Sequence, residues 1–129
     1  MGNSPSDVLV KDVMTKSLIS ADPSTTVFQI ANLMEKGGVG AIIVKKDDEP
    51  AGIITDRDFA TKVTTQNLSS DTTIDKVASY PLETIESGES IAAAASAMSS
   101  KKIRKLVVVE NSKVIGIITA TDLVNQLGK

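Results

Sequence analysis

The sequence predicts a mixed α/β protein of the α+β kind, built from two β-α-β-β-α repeats packed sheet to sheet about a pseudo-twofold axis. Three observations carry that prediction. The 129-residue chain repeats itself at a constant shift of 64 positions, so that Gly52-Ile53-Ile54-Thr55 returns as Gly116-Ile117-Ile118-Thr119. Each copy holds one stretch with apolar residues at helical spacing, followed by two short β-branched runs. Those runs are apolar at successive positions rather than alternating, which suits a sheet covered on both faces.

The elements follow in order. In "KSLISADPSTT", residues 16 to 26, a short extended segment leads to a capped helix start. Val27, Ile30, Ala31 and Met34 then fall at i, i+3, i+4 and i+7 and predict an amphipathic helix whose methionine is core. "AIIVKKDDEPAGIIT", residues 41 to 55, reads as strand, polar turn, strand, and a second helix runs from there to about Thr64. The polar stretch 65 to 77 is the connection, with its end assigned to the second copy. The pattern then recurs: "YPLETIESGES" (80 to 90), the stripe Ile91, Ala94, Ala95 and Met98, the hairpin "KLVVVENSKVIGIIT" (105 to 119) and a helix through "ATDLVNQL". The repeats are placed at residues 8–65 and 72–129, with 66–71 as linker. A three-stranded sheet with helices on one face leaves an apolar face for the other copy to cover, with two clefts across the repeat interface.

Composition excludes several functions. The chain has no histidine and no cysteine, which removes His-based triads, thiolate metal sites and disulfides. Net charge is −2 with two Phe, one Tyr and no Trp, unlike a nucleic-acid binder with a basic, aromatic groove. No signal-like start and no long apolar span are visible, so a cytoplasmic location without membrane insertion is expected. "MGNSPS" fits a myristoylation pattern, but no basic patch supports anchoring. Three carboxylates at 47 to 49 read as a soluble turn rather than a metal site, and "NLS" at 67 to 69 as a surface link. A binding module fits better than an enzyme.

Four features in order, "DVMT" at 12 to 15, a helix followed by "VGAIIV" or "IRKLVVV", the paired "GIIT" and the Thr-x-x-Asp continuation, carry a family resemblance. The chain resembles a tandem pair of cystathionine β-synthase (CBS) domains, a Bateman module of the stand-alone type. The resemblance implies a regulatory module, not an enzyme, that senses AMP, ADP, ATP or a related adenosyl compound in clefts between the repeats. It implies that Asp58 and Asp122 bind ribose hydroxyls, with Thr55 and Thr119 near the ribose and first phosphate. No cofactor is required, although magnesium could accompany the phosphates. Adenine would lie against Lys16, Leu18, Ile19, Val39, Gly40 and Ala41 in the first copy. The second-copy counterparts are Leu82, Ile103, Arg104 and Lys105. The family further implies a homodimer and an effector protein as partner; the alternative is a partner-binding scaffold with empty clefts. The residues leave a second role open, because Thr-x-x-Asp is also a helix capping box.

The copies differ in charge. Arg57 can pair with phosphate oxygens through its fork of donors, whereas the second copy has Thr121 there. Asp56 becomes Ala120, and "KKIRK" at 101 to 105 replaces the neutral "GGVGA". Two unlike clefts are expected, with Arg57 marking the first as the better site for a phosphorylated ligand.

Overall fold

A computed structural model describes residues 7 to 128; the myristoylation-like pattern at 1 to 6 lies outside them. Among these described residues the fold is mixed α+β, with two three-stranded sheets and four α-helices. In the first sheet β1 (Ser20–Ala21) runs parallel to β2 (Ala41–Lys46), which pairs antiparallel with β3 (Glu49–Thr55). Helix α1 (Val27–Gly37) crosses between β1 and β2; α2 (Asp56–Asp58) follows β3 and widens into a π-helical segment, Phe59–Thr64. The second sheet repeats the order with β4 (Thr84–Glu86), β5 (Lys105–Glu110) and β6 (Lys113–Thr119), accompanied by α3 (Ile91–Lys101) and α4 (Ala120–Leu127). The predicted β-α-β-β-α order is present twice.

Local chemistry accounts for the boundaries. Thr26 and Gln29 form a capping box on α1, and the Ser90 hydroxyl accepts from the Ala93 amide on α3. Both helices end on a left-handed residue, Gly38 and Lys102 at φ 62° and 57°. Both hairpins turn through two residues of positive φ, Asp47-Asp48 and Asn111-Ser112, as a twisted two-residue connection requires. The register shifts at the same place in both sheets, between Val44 and Lys45 and between Val108 and Val109.

The chain divides into two compact units, and they are not the contiguous repeats. Residues Ile19–Leu82 make one; the described residues up to Leu18, together with Glu83 onward, make the other. In the first unit Ile74 and Val77, from a 3-10 turn at Ile74–Lys76, complete the core of Val27, Ile30, Ile42, Val44 and Ile54. In the second, Val10 from the turn Val10–Asp12 packs with Ile91, Ala94, Met98, Leu106, Val108 and Ile118. The segment 72 to 82, read as the start of the second copy, therefore folds onto the sheet of the first, through a bridge between Ser79 and Ile53. Thr15 does the same with Ile117.

That arrangement explains the glycine of the repeated Gly-Ile-Ile-Thr. A β-carbon on Gly52 would lie 2.5 Å from the Tyr80 ring and 2.7 Å from the Ser79 carbonyl oxygen. One on Gly116 would lie 2.6 Å from Met14 Sδ and 2.8 Å from the Thr15 carbonyl oxygen. At both places a bridging segment approaches the strand too closely for any side chain.

Candidate functional site

In each unit the end of the last strand, the first turn of the following helix and the loop before the middle strand come together. Ala41 pairs with Thr55, and the Asp56 amide donates to the Gly40 carbonyl at 3.0 Å. Lys105 pairs with Thr119, and the Ala120 amide donates to the Arg104 carbonyl at 2.8 Å. A β-carbon on Gly40 would lie 3.2 Å from Asp56 Oδ2, so the first motif has its extra carboxylate against a bare backbone. Ala31, Met34, Asp56 and Phe59 line an open, mostly apolar depression of about 170 Å³ beside it.

Both Thr-x-x-Asp motifs are capping boxes. The Thr55 amide donates to Asp58 Oδ2 at 2.8 Å, the Thr55 hydroxyl donates to the same oxygen at 3.2 Å, and the Asp58 amide returns to Thr55 Oγ1 at 3.4 Å. The Thr119 amide donates to Asp122 Oδ2 at 2.9 Å, and the Asp122 amide returns to Thr119 Oγ1 at 3.1 Å. Each box satisfies two amides that a helix start would otherwise leave open.

The carboxylates then diverge. Asp58 is buried, only 6% exposed, and its second oxygen, Oδ1, meets Lys62 Nζ at 3.1 Å. Lys62 is itself held, donating to the Val77 carbonyl at 2.8 Å and to Ser79 Oγ at 3.4 Å. Asp122 is half-buried, and its Oδ1 has no partner among the described residues. The position equivalent to Lys62 is Gln126.

The remaining predicted contacts group by unit rather than by repeat. Ile19, Val39, Gly40, Ala41 and Leu82 share the unit of Thr55, Arg57 and Asp58; Lys16, Leu18, Ile103, Arg104 and Lys105 share that of Thr119 and Asp122. Lys16 and Leu18, expected beside Val39 to Ala41, belong to the other unit from them, as Leu82 does from Ile103 to Lys105. Ile19 stays with the first group: its carbonyl accepts from the Ile43 amide at 2.9 Å, and its side chain lies where a β-carbon on Gly37 would fall. Arg57 and Arg104 are exposed, whereas Lys101 is committed to Glu83 at 2.6 Å. Lys62 escaped the sequence reading; its trace was the Asp58-to-Lys62 spacing of four on a helix, which the second copy does not repeat.

Comparison with known proteins places these features. The family model described as the CBS domain matches the chain twice, at residues 10–64 and 68–129. An uncharacterized protein of Methanopyrus kandleri, MK0525, is 38% identical over 119 residues, covering 90% of this chain; the chain spans 61% of that protein's length. The crystal structure of an uncharacterized conserved protein from Pyrococcus horikoshii superimposes with a TM-score of 0.90 at 26% identity, covering 96% of this chain and 95% of the other. The CBS domain pair of protein MJ0100, crystallised with 5′-methylthioadenosine and S-adenosyl-L-methionine, gives a TM-score of 0.83 at 28% identity, covering 94% and 96%.

Proposed function

Because the chain belongs to the CBS-domain family, whose paired domains are regulatory ligand-binding modules, we propose that it binds an adenosyl compound through a Thr-x-x-Asp carboxylate. The observation that carries this reading is Asp122. Its carboxylate is oriented by the capping bond to Oδ2, which leaves Oδ1 as an acceptor without a partner among the described residues. A fixed, ionised acceptor suits a ribose, whose hydroxyls are donors in need of one. The two ligands of the MJ0100 pair share an adenosine group, which supports the choice of an adenosyl compound over other small molecules. Arg57, within the first motif, and Arg104, just before β5, are both exposed, and they would favour a ligand that also carries phosphate, such as AMP, ADP or ATP. The module acts as a regulator when the ligand binds one arrangement of a dimer, or of a complex with an effector protein, more tightly than another.

The test is thermal denaturation with 5′-methylthioadenosine, S-adenosylmethionine, AMP, ADP and ATP. A ligand at a hundred times its dissociation constant adds about 2.7 kcal/mol of stability, a clear rise in Tm for a chain of this size. No shift with any of the five would overturn the reading and leave the partner-binding scaffold, in which the two motifs serve as caps alone.

A further inference from the structure

We propose that Lys62 closes the first motif, so that this protein takes one adenosyl ligand per chain, at the second motif, and Lys62 is the residue that sets this number. The inference rests on the adenosyl reading above and deepens it. It reverses the sequence expectation that Arg57 marks the first motif as the better site.

Two neighbouring hydroxyls of a ribose must donate to carboxylate lone pairs that a ligand can reach. In the first motif Oδ2 of Asp58 takes the Thr55 amide and hydroxyl, and Oδ1 takes the Lys62 ammonium. Both oxygens are engaged, and the residue is 6% exposed. A bond from an ammonium to a carboxylate is charge-assisted on both sides, so a neutral hydroxyl does not displace it without giving up an ion pair to a buried carboxylate.

Lys62 has no easy way to withdraw. Its three donors are spent on Asp58, the Val77 carbonyl and Ser79 Oγ. Val77 is in the core and Ser79 is bridged to Ile53 in both directions, so the far anchor of the lysine is fixed as firmly as the near one. The π-helical segment Phe59–Thr64, which carries Lys62, is further tied by the Thr61 hydroxyl on the Arg57 carbonyl and the Thr65 hydroxyl on the Thr61 carbonyl.

Nothing comparable closes the second motif among the described residues. The helix there is α-helical from Ala120 to Leu127, Gln126 replaces Lys62, and no ion pair involves Asp122 among the described residues. Among the differences between the duplicated helices, Lys62 against Gln126 is the one that engages the second oxygen of the motif aspartate.

The experiment is calorimetric titration of the full chain with S-adenosylmethionine, 5′-methylthioadenosine and AMP, on the wild type and on Asp58→Asn, Asp122→Asn, Lys62→Met and Lys62→Arg. The expected results are one ligand per wild-type chain, at least a tenfold loss of affinity, about 1.4 kcal/mol, for Asp122→Asn and a change under about twofold for Asp58→Asn. Lys62→Met should gain a second ligand per chain, and Lys62→Arg, which keeps the cation, should stay at one. A merely structural Lys62 would change Tm in Lys62→Met without changing the number bound. Two ligands per wild-type chain, equal losses in Asp58→Asn and Asp122→Asn, or a folded Lys62→Met that still binds one would each overturn the inference while leaving the adenosyl reading standing. If Lys62→Met does not fold, Lys62→Gln is titrated in its place against the same outcomes. No binding of any probe by the wild type and the lysine variants alike overturns the adenosyl reading, and the inference with it.

Discussion

At the scale of the residue, the duplicated aspartates show how a neighbour decides what the same side chain can do. Asp58 and Asp122 share a capping box in the first helical turn after a β-strand, but they differ in burial and in the residue four positions on. The cap itself was legible in the sequence, because Thr-x-x-Asp after a β-branched run is a local pattern. The ion pair was legible only in part: the spacing of Asp58 and Lys62 is local, but the Val77 carbonyl that fixes the lysine comes from a distant segment. Tyr80 belongs to that same segment and reports on it. Its ring lies against Gly52, with the Lys46 ammonium 4.4 Å from the ring centroid. Partial desolvation of the phenol, reinforced by the negative charge of Asp75, raises its pKa above the usual 10.0 although the residue is 36% exposed. A phenol whose pKa is raised in the folded state contributes stability that is fully present below the unfolded pKa and is lost as pH rises through the folded one. The chain has one tyrosine and no tryptophan, so alkaline titration of the tyrosinate absorbance follows Tyr80 alone. The native midpoint should lie above that of the same chain in guanidinium chloride; a native midpoint at or below it would show that 78 to 80 does not lie against β3.

At the scale of the element, the two repeats solve the same geometry with different residues. Helices α1 and α3 both end on a left-handed residue, but α1 uses Gly38 and α3 uses Lys102 at φ 57°. A side chain at that φ is strained by about 1–2 kcal/mol, whereas glycine adopts it freely and loses about 0.5–1 kcal/mol of chain entropy on folding. Lys102→Gly should therefore stabilise the protein by about 0.5–1 kcal/mol, seen as a higher urea midpoint with an unchanged slope. The lysine's favourable charge at the helix end subtracts a few tenths of a kcal/mol at low salt, so the gain should grow slightly as salt is added. A lower midpoint would mean that the lysine makes a contact worth more than its strain. The hairpins were equally legible: "KKDDE" and "ENSK" are polar between β-branched runs, and both become two-residue turns of positive φ. The second helix of the first copy was not. Its sequence predicts an α-helix, yet only Asp56–Asp58 is α before the wider π segment begins. The hydrophobic stripe that predicts a helix does not distinguish the two forms.

At the scale of the whole chain, what stayed hidden was which lead-in serves which sheet, and the reason is the duplication itself. Val10 and Val13 are the counterparts of Ile74 and Val77, and Thr15 of Ser79, so either lead-in offers either sheet nearly the same apolar pattern. Periodicity fixes the face of an element but says nothing about a choice between two equivalent partners far apart in sequence. Packing makes the choice plain. Val10 is fully buried among Ile91, Ala94, Met98, Leu106, Val108 and Ile118, its amide donates to the Glu89 carbonyl at 2.8 Å, and the Ile91 amide donates to the Val8 carbonyl at 2.9 Å. Val10→Ala removes two buried methyl groups from that core and should cost about 1.5–3 kcal/mol, from the lost transfer energy and the cavity left behind. The location of the damage distinguishes the two divisions of the chain. If residues up to Leu18 belong with Glu83 onward, native-state hydrogen exchange in Val10→Ala should speed up most at the amides of Leu106 to Val108 and Ile117 to Ile118, whose side chains line or flank that core. The amides of Ile42 to Val44 and of Ile54, nearer in sequence to the substitution, should keep more of their protection. Ile74→Ala should give the mirror pattern, with the loss falling on 42 to 54 rather than on 106 to 118, because Ile74 completes the core of Ile42, Val44 and Ile54. If each substitution instead weakened the strands of its own sequence repeat, the exchanged lead-ins would be wrong, and with them the anchoring of Lys62 on Val77.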